Sequence, residues 1–238
     1  MTKPLLDHQA LTFDCYGTLI DWETGIWNAL QPLIEQLPAA LNREDALNDF
    51  AIEETAQEAQ TPGLLYADLL TVVHQRLAKK WGLWVNGAES RTFGASVPLW
   101  PAFEDSVDSL RRLRERFKLV PLTNVDQVSF EGSNRRLGAP FWRVFTAGMI
   151  GSYKPDVRNF KFMLDALACD GIEMGNVLHV AQSIHHDMVP ATAVGLEKAW
   201  INRQQGRLGA TAKNEGARTI EHEFADMDSF TNWALNTL

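Results

Sequence analysis

The chain has 238 residues; against the ~150 residues of a typical domain that is one large domain or a core with one insert, and three independent domains are excluded. Hydrophobic residues at 45% and charged residues at 22% place it among globular proteins, not disordered or fibrous ones. The net charge of -8 repels phosphate backbones and anionic lipid, so neither nucleic acid nor a membrane surface is an expected partner.

No apolar run of secretory length opens the chain, and no segment approaches the ~20 apolar residues of a membrane span. Two distant cysteines, Cys15 and Cys169, form neither a disulfide framework nor a metal spacing, so a reducing cytoplasm is expected. The first short apolar run, Ala10 to Asp14, reads as a buried strand. From Trp22 to Trp100 the pattern becomes helical: Trp27, Leu30, Leu33, Ile34 and Leu37 recur at helical spacing, as do Leu65, Leu69, Val72, Val73 and Leu77. The two prolines of Pro98-Leu99-Trp100-Pro101 mark the return from this insert. Further strands are expected at Leu119 to Asn124, near Val144-Phe145-Thr146, at Val177 to Ala181 and at Lys198 to Asn202. Helices are expected at Asp126 to Leu137, Val157 to Ala168 and His186 to Val194. A mobile loop is expected over Gln204 to Thr219, then a last helix near Met227 to Leu235. This alternation defines the fold class as α/β: a Rossmann-like parallel sheet with helices on both faces and an inserted all-helical cap. Residues 1–20 and 99–238 form the core and residues 21–98 the cap.

Ligands of open parallel sheets bind at the carboxyl ends of the strands. Asp14 closes the first strand in FDCYGTLID, with Gly17 and Thr18 in the turn; Thr123 and Asn124 close the second; Lys154 follows in SYKPD; Asp187 lies just past the next strand in AQSIHHD. In this order the four segments resemble the four motifs of the haloacid dehalogenase superfamily, and the helical insert resembles that family's cap. The resemblance spans the whole chain. It implies a hydrolase in which Asp14 attacks an electrophilic centre to form a covalent ester that water hydrolyses. Lys154 would hold down the Asp14 pKa and pair with a small anionic substrate. Thr18, Thr123 and Asn124 would orient substrate oxygens, with Tyr16, Gln182 and Ser183 also contacting substrate; Asp187 would act as base or metal ligand.

Phosphatases of the superfamily place an acid two residues after the nucleophile, where this chain has Tyr16, and the D-x-Y-G-T sequence resembles the 2-haloacid dehalogenase branch. A departing halide other than fluoride needs no proton. Ala181-Gln182 replaces the Gly-Asp of the phosphatase fourth motif, which weakens a magnesium site. The expectation is cleavage of carbon-halogen bonds with no cofactor. The alternatives are a Mg2+-dependent phosphatase, with Asp14, the Tyr16 backbone and Asp187 at the ion, and a binding protein that kept the fold; retention of Asp14, Thr18, Thr123, Lys154 and Asp187 speaks against the latter. Three positions depart from the dehalogenase pattern. Near Phe50 there is no halide-facing arginine, Phe160 replaces a tyrosine, and Ile184 replaces an asparagine.

Glu53, Glu54, Gln57, Glu58 and Gln60 read as a solvated helix face. His185 and His186 read as packing or capping at a helix start or as support for substrate; adjacent helical residues point about 100° apart, which disfavours a shared metal. Trp22, Trp81, Trp84 and Trp100 are expected in the cap core or at its interface, with one lining the substrate pocket as an alternative. Cys15 should face away from Asp14. Oligomeric state is left open, a homodimer included.

Overall fold

The computed structural model describes residues 8–203, 220 and 222–236. Six parallel strands form one sheet in the order β3-β2-β1-β4-β5-β6: β1 (Ala10–Phe13), β2 (Lys118–Thr123), β3 (Phe145–Thr146), β4 (Val177–Ala181), β5 (Glu197–Ile201) and β6 (His222–Phe224). The sequence reading anticipates five of them. The short, partly exposed edge strand β6, HEF, carries no apolar run and is recruited by pairing of Ala199 with His222. The loop expected over Gln204 to Thr219 lies outside the described residues.

Successive strand residues face opposite sides, so each strand feeds two cores. Leu11, Phe13, Leu119, Leu178 and Val180 enter one, together with Leu110 and Leu113 of α5 (Ser106–Leu113) and Met227, Phe230 and Ala234 of α10 (Met227–Asn236). Ala10, Val120, Leu122 and Val177 enter the other, against Phe160, Met163 and Leu167 of α8 (Arg158–Cys169) and Ala191 of α9 (Val189–Val194). The sequence reading omits α5, whose eight residues offer only two leucines among charged neighbours; the sheet supplies the missing burial.

Four helices intervene between β1 and β2: α1 (Trp22–Ile34), α2 (Arg43–Gln60), α3 (Tyr66–Lys80) and α4 (Gly87–Gly94). Each of α1, α2 and α4 is started by a side chain that accepts from orphan backbone N–H groups, namely Asp21, Asn42 and Asn86, the last in a capping box with Glu89. The chain returns through a single 3-10 turn at Val97–Leu99. Gly25 of α1 lies against Trp100 so closely that a Cβ there would come 2.2 Å from the indole. After β2 comes α6 (Gln127–Arg136), capped by Asp126, and one turn, α7 (Ala147–Ile150), follows β3. The helix expected from His186 begins as a π-helical turn, Ile184–Met188, which runs into α9 at Pro190. No helix among the described residues is long and apolar enough to cross a membrane.

Candidate active site

The strand order reverses its direction of growth at β1, between β2 and β4, and the crevice beyond these strand ends holds the site. Asp14 leaves β1 and enters a tight turn in which Gly17 has φ +97, a conformation that disfavours any side chain; a Cβ would also press on Gln182 and Trp22. The turn brings Thr18 Oγ1 back to donate to Asp14 Oδ2 at 2.7 Å, while the same oxygen accepts from the Gln182 backbone N–H at 2.9 Å. The buried Lys154 ammonium bridges two carboxylates, at 2.9 Å from Asp14 Oδ1 and 2.7 Å from Asp187 Oδ1. Asn124 fixes the Lys154 backbone from β2, its Oδ1 accepting from the Lys154 N–H at 2.7 Å and its Nδ2 donating to the Lys154 carbonyl at 3.1 Å.

One ammonium shared by two buried carboxylates leaves a negative charge uncompensated, and the pair divides it unequally. Burial raises Asp14 above the ordinary aspartate range despite Lys154, and the Asp187 charge adds to the rise. Burial pushes Asp187 the same way, but Lys154 and His179 outweigh it and its pKa is lowered. Burial alone would lower Lys154; the two carboxylates reverse this and raise it. Lys154 does pull the Asp14 pKa down, by charge and by hydrogen bond, but desolvation outweighs it, and Asp14 is the more basic carboxylate.

His179, in mid-strand β4, is absent from the sequence reading. Its Nε2 is 3.1 Å from Asp187 Oδ1 and its Nδ1 2.9 Å from Thr12 Oγ1, its register partner on β1. With Nε2–H donating to the carboxylate, Nδ1 accepts the threonine hydroxyl. The only signal was a histidine within the otherwise apolar VLHVA. Asp187 Oδ2 is buried without a partner among the described residues.

A cavity of about 310 Å3 opens above these groups, lined by Asp14, Tyr16, Asn124, Lys154, Gln182 and Ser183 from the core, by Trp22 and Trp100, and by Glu54 and Glu58 of α2. Thr18, Thr123 and Asp187, expected at substrate or water, are not among the lining residues; they stand behind Asp14 and Lys154. Tyr16 borders the cavity with its hydroxyl 2.9 Å from Ser133 Oγ. Both histidines line the cavity as well, and burial lowers His186 to about 4.

Two expectations are corrected. Glu54 and Glu58 do not belong to a solvated face: the apolar side of α2 carries so few residues that these glutamates, one turn apart, turn inward with the buried Phe50 and Gln57. Trp84 is 80% exposed, beyond the cap core. Trp81 is partly buried, its indole N–H 2.7 Å from Asp49. Phe50 fills the arginine position with a packed ring against Trp22 and Phe93, Phe160 stacks edge-on against His179, and Ile184 is buried. Cys15 turns into the core, where burial pushes its thiol well up.

A buried carboxylate bridged to a lysine at the switch point of a parallel sheet, with an inserted helical unit above it, is the arrangement of a capped Rossmann-like protein. The family model for haloacid dehalogenase-like hydrolases matches residues 8–195, and the chain belongs to that family. No curated protein matches it. Among solved structures it is similar to the L-2-haloacid dehalogenase from Xanthobacter autotrophicus, with 13% identity, TM-score 0.81 and coverage of 97% of this chain and 100% of that one. A defluorinating L-2-haloacid dehalogenase matches at 20% identity, TM-score 0.77 and coverage of 96% and 95%. A putative hydrolase of the same family from Bacillus subtilis, bound to magnesium, matches at 16%, TM-score 0.76 and coverage of 96% and 99%. At these identities the likeness shows the fold.

Proposed function

We propose that the protein hydrolyses carbon-halogen bonds of small haloacids, with Asp14 as nucleophile and an aspartyl ester as intermediate. The observation that carries this reading is the bridging of Asp14 and Asp187 by the buried Lys154 ammonium at the floor of the cavity between core and cap. Thr18 fixes one Asp14 oxygen, Lys154 the other, and their donated hydrogen bonds aim the carboxylate without neutralising it. Water then cleaves the ester; Asp187 supports this step through its charge on Lys154. Tyr16, tied to Ser133, is no acid for an alkoxide leaving group, and its phenol is pushed well up by burial. The dehalogenase relatives share this fold, and a cytoplasmic, cofactor-independent enzyme acting on a small anionic substrate completes the proposal.

A second reading, a Mg2+-dependent phosphatase, draws on the unpartnered Asp187 Oδ2. Asp14, the Tyr16 carbonyl and Asp187 would hold the ion, which would supply charge neutralisation for a phosphoryl group. Against it, Asp187 Oδ1 is already shared by Lys154 and His179, and Gln182 stands where a further carboxylate would help.

Rapid quenching of chloroacetate turnover, followed by digestion and mass spectrometry, should show a carboxymethyl increment on the Asp14 peptide, absent in Asp14→Asn. An increment on another residue, or chloride release by Asp14→Asn at more than about a tenth of the native rate, would refute covalent catalysis by Asp14.

A further inference from the structure

The wall of the cavity contributed by α2 is acidic. Glu54 and Glu58 lie one turn apart and both face the space above Asp14 and Lys154. Glu54 accepts a short hydrogen bond from the Tyr66 hydroxyl of α3. Glu58 Oε1 accepts from Asn124 Nδ2 at 3.2 Å, so the cap carboxyl is tied to the residue that also fixes Lys154. The lining contains no arginine, and Lys154 is committed to Asp14 and Asp187. Displacement by a carboxylate proceeds in line, so the leaving group moves away from Asp14 and toward the cap. An anion driven against two ionised carboxylates would be repelled; against a carboxylic acid it is stabilised.

We propose that the Glu54–Glu58 pair is the leaving-group site and that Glu58, as a carboxylic acid, is a catalytic residue that donates a hydrogen bond to the departing halide. This rests on the covalent dehalogenation proposed above. An Asp14 oxygen forms the bond to carbon, the carbon-halogen bond breaks with its electron pair on the halogen, and the halide leaves as an anion held by the Glu58 O–H, which keeps its proton. Water then splits the ester to the alcohol, returning the Asp14 carboxylate and releasing one proton to solvent; the sum is R–X + H2O giving R–OH, X− and H+. The consequence is a preference shifted toward leaving groups that accept the strongest hydrogen bond, fluoride first.

The surroundings support a retained proton. Burial and the Glu54 charge raise Glu58 well above the glutamate range, with Asn124 and Lys154 opposing; burial raises Glu54 to about 7 against the Tyr66 hydrogen bond. The other titratable groups facing the pair are Asp14 below, Tyr66 and Tyr153 beside it, and His185 and His186 across the cavity. His186, lowered to about 4, adds no charge at neutral pH.

The test compares fluoroacetate, chloroacetate and bromoacetate as substrates of the native enzyme, Glu58→Gln and Glu54→Gln, each over a range of pH. In Glu58→Gln the ratio of kcat/KM for fluoroacetate to that for bromoacetate should fall at least 100-fold. The native fluoride rate should decline as pH rises and Glu58 deprotonates, and the variant should lack that limb. In 13C-glutamate-labelled protein, the carboxyl resonances that stay at their acid position at pH 6 should include one, besides that of Glu54, that vanishes in Glu58→Gln. An equal loss on all three substrates, chloride without fluoride release by the native enzyme, or no protonated glutamate at pH 6 would overturn the acid while leaving covalent dehalogenation intact. No halide released from any of the three would overturn both.

Discussion

Lys154 carries the positive charge that the two buried carboxylates of the site share, because it is 2% exposed and touches both Asp14 and Asp187. Removing it would leave two carboxylates facing each other in a desolvated crevice, and a buried charge stripped of its partner costs several kcal/mol. Lys154→Met should therefore lower kcat as well as raise KM, together by about 3 kcal/mol or more in kcat/KM. Steady-state kinetics with chloroacetate measures this, and a change confined to KM would reduce Lys154 to a binding group. The Lys154 motif was legible in the sequence; its sharing with Asp187 was not, and neither was His179, since a histidine inside an apolar strand has no partner until β1 and β4 are laid side by side.

At the scale of elements, the α1 helix and the returning segment meet at one close approach, Gly25 against Trp100. Trp100 also lines the cavity above Asp14 and packs edge-on against Tyr16 at 5.5 Å between ring centroids. A methyl at Gly25 would have to displace a fully packed indole, so Gly25→Ala should destabilise the protein by about 1–3 kcal/mol despite alanine's better helix propensity. Urea unfolding followed by tryptophan fluorescence should show the lower midpoint; an unchanged or higher midpoint would mean that the indole relaxes freely. A glycine inside α1 was visible in the sequence as a weak helix position, whereas the tryptophan that requires it lies 75 residues further along the chain. The glutamates of α2 make the same point. Their spacing marked a helix with a charged stripe, and only the seating of α2 over the strand ends turned that stripe toward Asp14.

For the whole molecule, the arrangement of core and cap separates the two chemistries open to this family. The cavity holds one ammonium and an excess of carboxyl groups, and on the dehalogenase reading chelation should leave halide release from chloroacetate unchanged. Loss of all activity in EDTA, with recovery on adding magnesium, would assign Asp14 and Asp187 to an ion and favour the phosphatase. The parallel α/β core, the helical insert and the positions of Asp14, Thr18, Asn124 and Lys154 were determined by the sequence itself. They rest on local signals: hydrophobic period, turn residues and motif spacing, each readable within a few residues. What only the tertiary structure decided was which of these groups face the cavity and which stand behind it, how Asp14 and Asp187 divide one positive charge, and that the cap presents acids in place of an arginine. These depend on burial and on distances between segments 140 residues and more apart, and desolvation, which shifts their protonation, exists only once the chain has closed over them.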